Sequence, residues 1–417
     1  MKKTPDCMSD YDPNSLSVNE ALQRIENDIR PISDTECVSL QDALGRVLAE
    51  DIRSPLSVPA HTNSAMDGYA ISSTDLPTSG RRELRVLGTA WAGTPFNNPV
   101  HNGECVRIMT GAMLPAGTDT IIMQERAERE GDVIRIGDDN KACQHVRQAG
   151  EDIAVGQTVL TIGKLLRPSE LGVLASLGIG EVTVTRHLRV AFFTTGDELR
   201  TLSEPLAAGQ IYDSNHYTLY GMLNRLGVEL IDLGIVRDSR EDIEAAFLRA
   251  TELADAIVSS GGVSVGDADF VKEMLEKLGK VNFWKIAMKP GRPLAFGKVK
   301  NAYFFGLPGN PVSVMATFYQ FVQPALLKLM GRALTPPVLF KVRCISKLKK
   351  MAGRIEFQRG ILETDSTGNL IVRSTGEQGS GILSSMSQAN CFIILPVECG
   401  NVEPGTLVDV QLFEGLV

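Results

Sequence analysis

The chain has 417 residues, which is too long for one hydrophobic core and predicts roughly two to four domains. Its net charge of −8 at pH 7 excludes a general nucleic-acid or membrane-surface binder, because such proteins carry an excess of basic residues. It has no long apolar run, no signal-peptide core and no C-x-x-C pair among its 7 cysteines, so we expect a cytoplasmic protein with reduced thiols.

Two capping boxes occur near the start of the chain. Ser17 pairs with Glu20, and Ser39 pairs with Asp42, and each box precedes apolar residues at helical spacing. We therefore expect two short helices before residue 53.

Residues 53–152 change to short β-type runs separated by Gly, Pro and Asn, which predicts a compact β-rich insertion. This segment contains two polar stretches, residues 63–70 and 109–112, that are not needed to build a β-hairpin. The dipeptide Asp67-Gly68 is also compatible with an ordinary hairpin turn, so both interpretations stay open at this point.

A helix over residues 165–177 is followed by regular alternation of strands and helices. The predicted strands cover residues 190–194, 229–233, 256–258, 294–296 and 303–305; the predicted helices cover residues 217–226, the segment after Ser239, and residues 312–329. This order is typical of an α/β domain whose sheet is largely parallel and has helices on both faces. Ligands of such sheets bind beyond the carboxyl ends of the strands.

The loop after the central strand is the most informative stretch. Ser259 and Ser260 lead into Gly261 and Gly262, whose lack of side chains allows a backbone to approach an anion closely. The downstream carboxylates Asp267 and Asp269 would repel a phosphate unless a cation lies between them. The loop predicts an anionic ligand with a divalent cation, and a plain strand–helix connection is the alternative.

Charged side chains follow the other predicted strands. They are Asp197, Glu198, Asp238, Lys285, Lys289 and Arg292. Because loops after parallel strands share one sheet edge, we expect these charges to meet in a cleft. A second interpretation of Asp238 is that it helps to cap the next helix, because it immediately precedes the helix cap Ser239.

The dipeptide Pro336-Pro337 marks a linker. Alternating apolar residues beyond it predict strands over residues 338–344, 357–362, 370–372, 391–395 and 407–412, which favours a small β-barrel or sandwich.

Eight motifs occur in order along the chain: N-S-A-M-D-G-Y-A (63–70), M-T-G-A (109–112), G-E-D (150–152), T-G-D-E-L (195–199), Y-D-S-N (212–215), S-S-G-G-V-S-V-G-D-A-D (259–269), K-P-G-R-P (289–293) and G-L-P-G-N-P-V-S (306–313). Together they resemble the molybdopterin molybdenumtransferase (MoeA) family, which is related to the C-terminal domain of gephyrin. The resemblance extends from about residue 17 over the rest of the chain.

The resemblance implies an enzyme that inserts molybdenum from molybdate into adenylylated molybdopterin, with Mg²⁺-dependent release of AMP. It implies a homodimer whose cleft combines one subunit's parallel-sheet domain with the other's β-rich domain. The expected partners are a molybdopterin adenylyltransferase and downstream cofactor-processing proteins. The expected α/β multidomain fold consists of an elongated dimerisation domain (1–52 plus 153–186), a β-rich insertion (53–152), a molybdopterin-binding domain (187–333) and a C-terminal β-barrel (334–417).

The site residues carried over by the resemblance fall into three groups. The catalytic candidates are Asp67, Thr110, Asp152, Glu198, Asp238 and Asp269, of which Glu198, Asp238 and Asp269 are also the candidate Mg²⁺ ligands. The substrate-binding candidates are Arg147, Gly261, Gly262, Ser264, Lys285, Lys289, Arg292, Pro308, Gly309 and Pro311. Carboxylate oxygens suit Mg²⁺, and basic side chains suit the phosphates or molybdate.

Two other functions remain open from the sequence. A molybdopterin adenylyltransferase resembles the parallel-sheet domain alone and would consume ATP. A non-catalytic binding or scaffold protein would hold the cofactor precursor without turnover.

Overall fold

The computed structural model describes residues 15–262, 271, 275, 277–333 and 335–413. The chain divides into two compact units, one of Met1–Glu36 with Thr185–Val417 and the other of Cys37–Val184. Across the described residues, every helix is too short or too polar to span a membrane.

A six-stranded sheet forms the centre of the first unit. Its spatial order is Glu229–Val236, Arg189–Thr195, Ala256–Ser260, Ala302–Leu307, Pro293–Val299 and Gly279–Lys285. The first four strands are mutually parallel, and the last two join by antiparallel pairing. The predicted largely parallel sheet is therefore mixed at one side. A short parallel pair, Leu199–Arg200 with Ile211–Tyr212, lies outside this sheet.

Both faces of this sheet are buried, which explains why its strands are almost continuously apolar. Along strand Arg189–Thr195, Phe192 belongs to one apolar cluster and Phe193 to the other. The alternation follows from the period of two in a strand. Helix Ser214–Arg225 covers the first face through Leu219, and helix Arg240–Leu253 covers the second through Phe247.

The described helices of the first unit are Val18–Asp28, Ser214–Arg225, Arg240–Leu253, Pro311–Thr317, Gln323–Leu329 and Ser384–Gln388. The capping box of Ser17 is present: Glu20 N–H donates to Ser17 Oγ at 3.2 Å, and Ser17 N–H donates to Glu20 Oε2 at 2.8 Å. The predicted helix over 312–329 contains a π-helical turn, Phe318–Val322, immediately before Pro324. Proline has no N–H to donate, so regular hydrogen bonding cannot continue through it.

The C-terminal strands close into the predicted barrel. In order around it they are Ile355–Thr364, Leu370–Ser374, Phe340–Cys344, Leu407–Leu412 and Cys391–Leu395, with the last pairing back to the first. Strand Met288–Lys289 from the sheet domain pairs with the start of Ile355–Thr364. The barrel interior is apolar and includes Val342, Val372 and Ile393.

The second unit contains another six-stranded sheet. Its order is Thr120–Met123, Gly68–Ile71, Glu104–Ile108, Arg81–Ala90, Val133–Gly137 and Ala127–Glu130. Three two-stranded sheets accompany it: Thr35–Ser39 with Glu181–Thr185, Ile52–Arg53 with Thr158–Leu160, and Asn63–Ser64 with Val146–Arg147. Helix Pro168–Ser176 completes the unit and matches the predicted helix over 165–177.

Asp67-Gly68 does not form a hairpin turn, so that interpretation is wrong. Gly68 begins strand Gly68–Ile71, which pairs with strands Glu104–Ile108 and Thr120–Met123. A Cβ on Gly68 would lie 1.9 Å from the carbonyl oxygen of Ile122. Glycine is required because the neighbouring strand approaches this closely.

The predicted second helix after Ser39 is also wrong. Its cap forms, since Asp42 N–H donates to Ser39 Oγ at 3.2 Å. The chain then turns at Gly45, whose φ is 78°, and Val47 and Leu48 make β-bridges to Leu165 and Val184. Tertiary pairing therefore overrides the local helix signal.

Candidate functional site

The carboxyl edge of the first unit's sheet carries the charged loops that the sequence predicts there. Glu198 follows strand Arg189–Thr195, and Asp238 follows the parallel strand Glu229–Val236. The antiparallel pairing brings the basic segment to the same edge, because Lys285 lies opposite Pro293 in the register. The mixed sheet thus unites these loops although two of its strands are not parallel to their neighbours.

Three acidic side chains lie within electrostatic range of one another at this edge. Burial raises the pKa of Asp238, and the negative charges of Asp197 and Glu198 raise it further. A divalent cation would relieve this repulsion, and hard carboxylate oxygens are its preferred ligands. Among the described residues, however, no three His, Cys, Asp or Glu side chains lie close enough together to hold a metal ion.

The basic loop lies at the same edge, on the other side of the sheet from these acids, and it is held at its base and along one side. Ile286 N–H donates to the carbonyl oxygen of Arg292 at 2.7 Å. Lys289 lies in the short strand paired with the barrel, and its Nζ is 3.4 Å from Glu356 Oε1. The Lys289 side chain is nevertheless 50% exposed, so its ammonium remains accessible to an anion.

Backbone groups form the centre of the edge. Gly261 and Gly262 have φ values of 93° and 65°, and a Cβ on Gly261 would lie 2.3 Å from Thr195 O. Gly261 N–H donates to Leu307 O at 3.2 Å, which joins this turn to the loop containing Pro308 and Gly309. Pro311 opens helix Pro311–Thr317 directly after that loop.

The second unit carries its own group of predicted site residues. Asp67 accepts hydrogen bonds from Thr110 N–H and Thr110 Oγ1, each at 2.7 Å. These two bonds hold the pKa of the exposed Asp67 carboxyl below its ordinary value. In this geometry both donors of Thr110 point at Asp67, so the hydroxyl is committed to an internal carboxylate.

Arg147 and Asp152 lie on neighbouring parts of the same unit. Exposed Arg147 pairs in register with Asn63, and Ser64 N–H donates to Ala112 O at 3.0 Å. Strand Asn63–Ser64 therefore lies between Arg147 and the Thr110 loop. Asp152 N–H donates to Val58 O at 3.1 Å, and its side chain is exposed.

Two of the sequence-predicted residues, Ser264 and Asp269, lie outside the described residues, as does Asp267. Two buried charged side chains escaped the sequence analysis, Glu356 and Arg359 on the barrel strand Ile355–Thr364. Burial lowers the pKa of Arg359 to about 10, and its guanidinium donates to Ser385 Oγ at 2.9 Å and Gly379 O at 3.0 Å. Their only sequence signal is a pair of opposite charges three residues apart in the strand I-E-F-Q-R-G-I-L-E-T.

Three family models match successive parts of the chain. They are the MoeA N-terminal region (domain I and II) at residues 16–178, a probable molybdopterin binding domain at residues 191–328, and the MoeA C-terminal region (domain IV) at residues 341–413. The charged sheet edge lies in the second of these matches.

Curated relatives match over nearly the full chain. A molybdopterin molybdenumtransferase from Haemophilus influenzae is 46% identical over 404 residues, covering 96% of this chain and 100% of the relative. One from Nostoc sp. is 36% identical, covering 94% and 93%. The crystal structure of a molybdopterin biosynthesis moeA protein from Pyrococcus horikoshii OT3 is 32% identical with a TM-score of 0.83, covering 95% and 100%.

Proposed function

The chain belongs to the molybdopterin molybdenumtransferase family, and from this premise we propose that it inserts molybdenum from molybdate into adenylylated molybdopterin and releases AMP. The observation that carries the proposal is that Glu198 and Asp238 share one sheet edge with the basic loop of Lys285, Lys289 and Arg292, with strands Ala256–Ser260 and Ala302–Leu307 between the two groups. Carboxylates and cations on one sheet edge suit a substrate with several phosphoryl charges and a metal oxyanion.

The basic side chains bind and orient the anions. Lys289 is supported by Glu356 and still half-exposed, so its ammonium is available to a phosphate or molybdate oxygen. Lys285, Arg292 and, from the other unit, Arg147 contribute further positive charge in this proposal. The glycine turn and the loop with Pro308, Gly309 and Pro311 shape the pterin cradle with backbone groups.

We assign Mg²⁺ to the carboxylates Glu198, Asp238 and Asp269. Burial and the repulsion from Asp197 and Glu198 together raise the pKa of Asp238, which supports a cation there, and the substrate phosphates would complete its ligands. When bound, Mg²⁺ offsets the charge that develops on the phosphoryl oxygens. Asp238 and Glu198 additionally orient the water that attacks the phosphoanhydride bond, with AMP as the leaving group.

Asp67 and Thr110 act as one unit in this proposal. Thr110 holds Asp67 in place through two hydrogen bonds and lowers its pKa, so Asp67 presents a fixed negative charge from neutral pH into the acid range. Thr110 contacts a substrate oxyanion only when its hydroxyl leaves Asp67. Asp152 is assigned to the same acidic set.

We further propose a cytoplasmic homodimer in which the Asp67 and Thr110 group of one subunit completes the sheet edge of the other. In this proposal each subunit has four domains: residues 1–52 plus 153–186, residues 53–152, residues 187–333 and residues 334–417. A molybdopterin adenylyltransferase is the expected supplier of the substrate, and cofactor-processing proteins receive the product.

AMP release from adenylylated molybdopterin by the purified protein tests the function. We expect release that requires both molybdate and Mg²⁺. Tight precursor binding without release would establish a binding protein, and ATP-dependent adenylylation of free molybdopterin would establish an adenylyltransferase.

A further inference from the structure

We propose that Asn215 is a positioning residue for the substrate site, because its side-chain amide ties the Pro308-Gly309 loop to the end of strand Ala256–Ser260. The Y-D-S-N stretch at residues 212–215 is one of the chain's motifs, yet none of its side chains has a role in the mechanism above. The activity part of this inference rests on the proposed function, and its structural part does not.

Both N–H donors of the Asn215 side-chain amide form hydrogen bonds in this connection. Nδ2 donates to Gly309 O at 2.7 Å and to Ser260 Oγ at 3.0 Å. Ser260 Oγ in turn donates to Pro308 O at 3.2 Å, and Ser260 is 2% exposed. This side chain therefore adds a second connection between the glycine turn and the proline loop, beyond the backbone bond from Gly261 to Leu307.

Asn215 is itself held in place by the start of its helix. Asp213 caps helix Ser214–Arg225 by accepting from His216 N–H at 3.0 Å. The other Asp213 oxygen accepts from Thr194 Oγ1 on strand Arg189–Thr195, and Asp213 is 2% exposed. The motif thus anchors the helix to one strand and uses the anchored helix to fix the ends of two more.

Within the described part of the chain, the arrangement leaves one buried oxygen of Asn215 unpaired, which lowers stability and is not expected of a side chain that serves stability alone. Asn215 Oδ1 is buried and has no hydrogen-bond partner among the described residues. A buried acceptor left unpaired costs roughly 1–3 kcal/mol. Local conflicts of this kind are expected where a sequence serves a site instead of stability.

The test is Asn215→Asp, which keeps the shape of the side chain but replaces both N–H donors with an oxygen that faces Gly309 O. We expect the KM for adenylylated molybdopterin to rise roughly tenfold, with kcat changed far less, because misplacing a positioning loop weakens substrate alignment. We also expect faster hydrogen exchange at the backbone amides of Gly309 and Asn310 in the substrate-free protein.

Tyr303→Phe is the matched control. Tyr303 OH accepts from Arg30 N–H and donates to Asp28 O, both at 3.0 Å, at the opposite end of strand Ala302–Leu307. It therefore also loses two hydrogen bonds in the same unit, but at the edge without the site. We expect it to lower Tm while KM and exchange at Gly309 stay at wild-type values.

Equal KM and equal Gly309 exchange in Asn215→Asp and wild type would overturn the inference, whatever happens to Tm. The double variant Asn215→Asp/Ser260→Ala gives a second check. If the two residues act as one unit, the free-energy change calculated from its KM differs from the sum of the changes in the two single variants. If the wild-type protein itself releases no AMP, the proposed function fails, and the exchange experiment alone then decides whether Asn215 holds the loop.

Discussion

Thr110 lowers the pKa of the Asp67 carboxyl. It supplies two hydrogen bonds to this carboxyl, one from its backbone N–H and one from its hydroxyl. A lowered pKa means that Asp67 stays charged further into the acid range than an ordinary aspartate. The Thr110 loop therefore extends the pH range over which Asp67 is charged.

Thr110→Val removes the hydroxyl donor and keeps the shape of the side chain. We expect the pKa of Asp67 to rise toward its ordinary value, so the acid limb of the pH dependence of kcat/KM moves to higher pH, while Asp67 stays ionised at neutral pH. Thr118→Val is the control, because Thr118 Oγ1 donates only to Pro115 O, at 2.8 Å. An unmoved acid limb in Thr110→Val would contradict the assignment.

The ionised form of Asp238 is destabilised in the folded protein. Replacing this side chain by a neutral one should therefore raise stability and lower activity. Its pKa is raised by burial and by Asp197 and Glu198, so its ionised form opposes folding above the ordinary pKa of an aspartate. Asp238→Asn should raise the free energy of unfolding at pH 7 by less than about 1 kcal/mol, because solvent screens the repulsion at this partly exposed side chain, and it should abolish AMP release. Chemical denaturation at pH 7 and pH 4 measures the gain, which should shrink at the lower pH; a destabilised variant would refute the electrostatic reasoning.

At the scale of single elements, helix Pro168–Ser176 depends on Glu170 at its start. Burial would raise the pKa of Glu170, but hydrogen bonds from Ser169 Oγ, Lys164 Nζ and Arg167 N–H outweigh it and lower the pKa to about 2. The resulting stabilisation is complete above the ordinary pKa of 4.5 and is lost as pH falls toward 2.

Glu170→Gln should therefore destabilise the second unit by roughly 1–2 kcal/mol at pH 7. Thermal unfolding of both proteins at pH 7 and at pH 3 checks the prediction. The difference in Tm between the two proteins should be smaller at pH 3, because the ionised Glu170 carboxylate then contributes less stability to the wild-type protein. A difference independent of pH would point to packing instead of charge.

At the scale of the whole molecule, Glu356 connects the barrel with the sheet domain. It is 4% exposed, accepts from Gln358 Nε2 at 2.8 Å, and pairs with Lys289 from the basic loop. Burial lowers the pKa of the neighbouring Lys350, and the charge of Glu356 acts against that shift. The C-terminal barrel thus contributes to the electrostatics of the site loop.

We expect Glu356→Gln to reduce the free energy of unfolding by roughly 1–3 kcal/mol, because the buried Lys350 and the half-exposed Lys289 lose a buried carboxylate. Asp409→Asn is the control on the same barrel, since its partner Lys341, at 2.9 Å, is 67% exposed, and such a pair contributes less than about 1 kcal/mol. Urea denaturation of both variants makes the comparison, and equal losses would contradict the special position of Glu356.

Local sequence signals were sufficient for much of the fold. The Ser17 capping box, the helix after Ser239 and the strand Cys391–Leu395 all depend on neighbours within a few residues, and each appears where the pattern predicts it. The order of strands and helices also predicted the sheet edge that gathers Glu198, Asp238 and Lys285. The eight motifs identified the family without any coordinates.

Only the tertiary structure decided which of several local possibilities each segment adopts. The segment after Ser39 forms bridges to Leu165 and Val184, and Gly68 joins a sheet instead of a hairpin turn. The ties from Asn215 to Gly309 and from Glu356 to Lys289 join residues far apart in the chain. Short-range spacing determines helix caps and strand alternation because those contacts are local, whereas long-range pairing and burial depend on partners that no local pattern specifies.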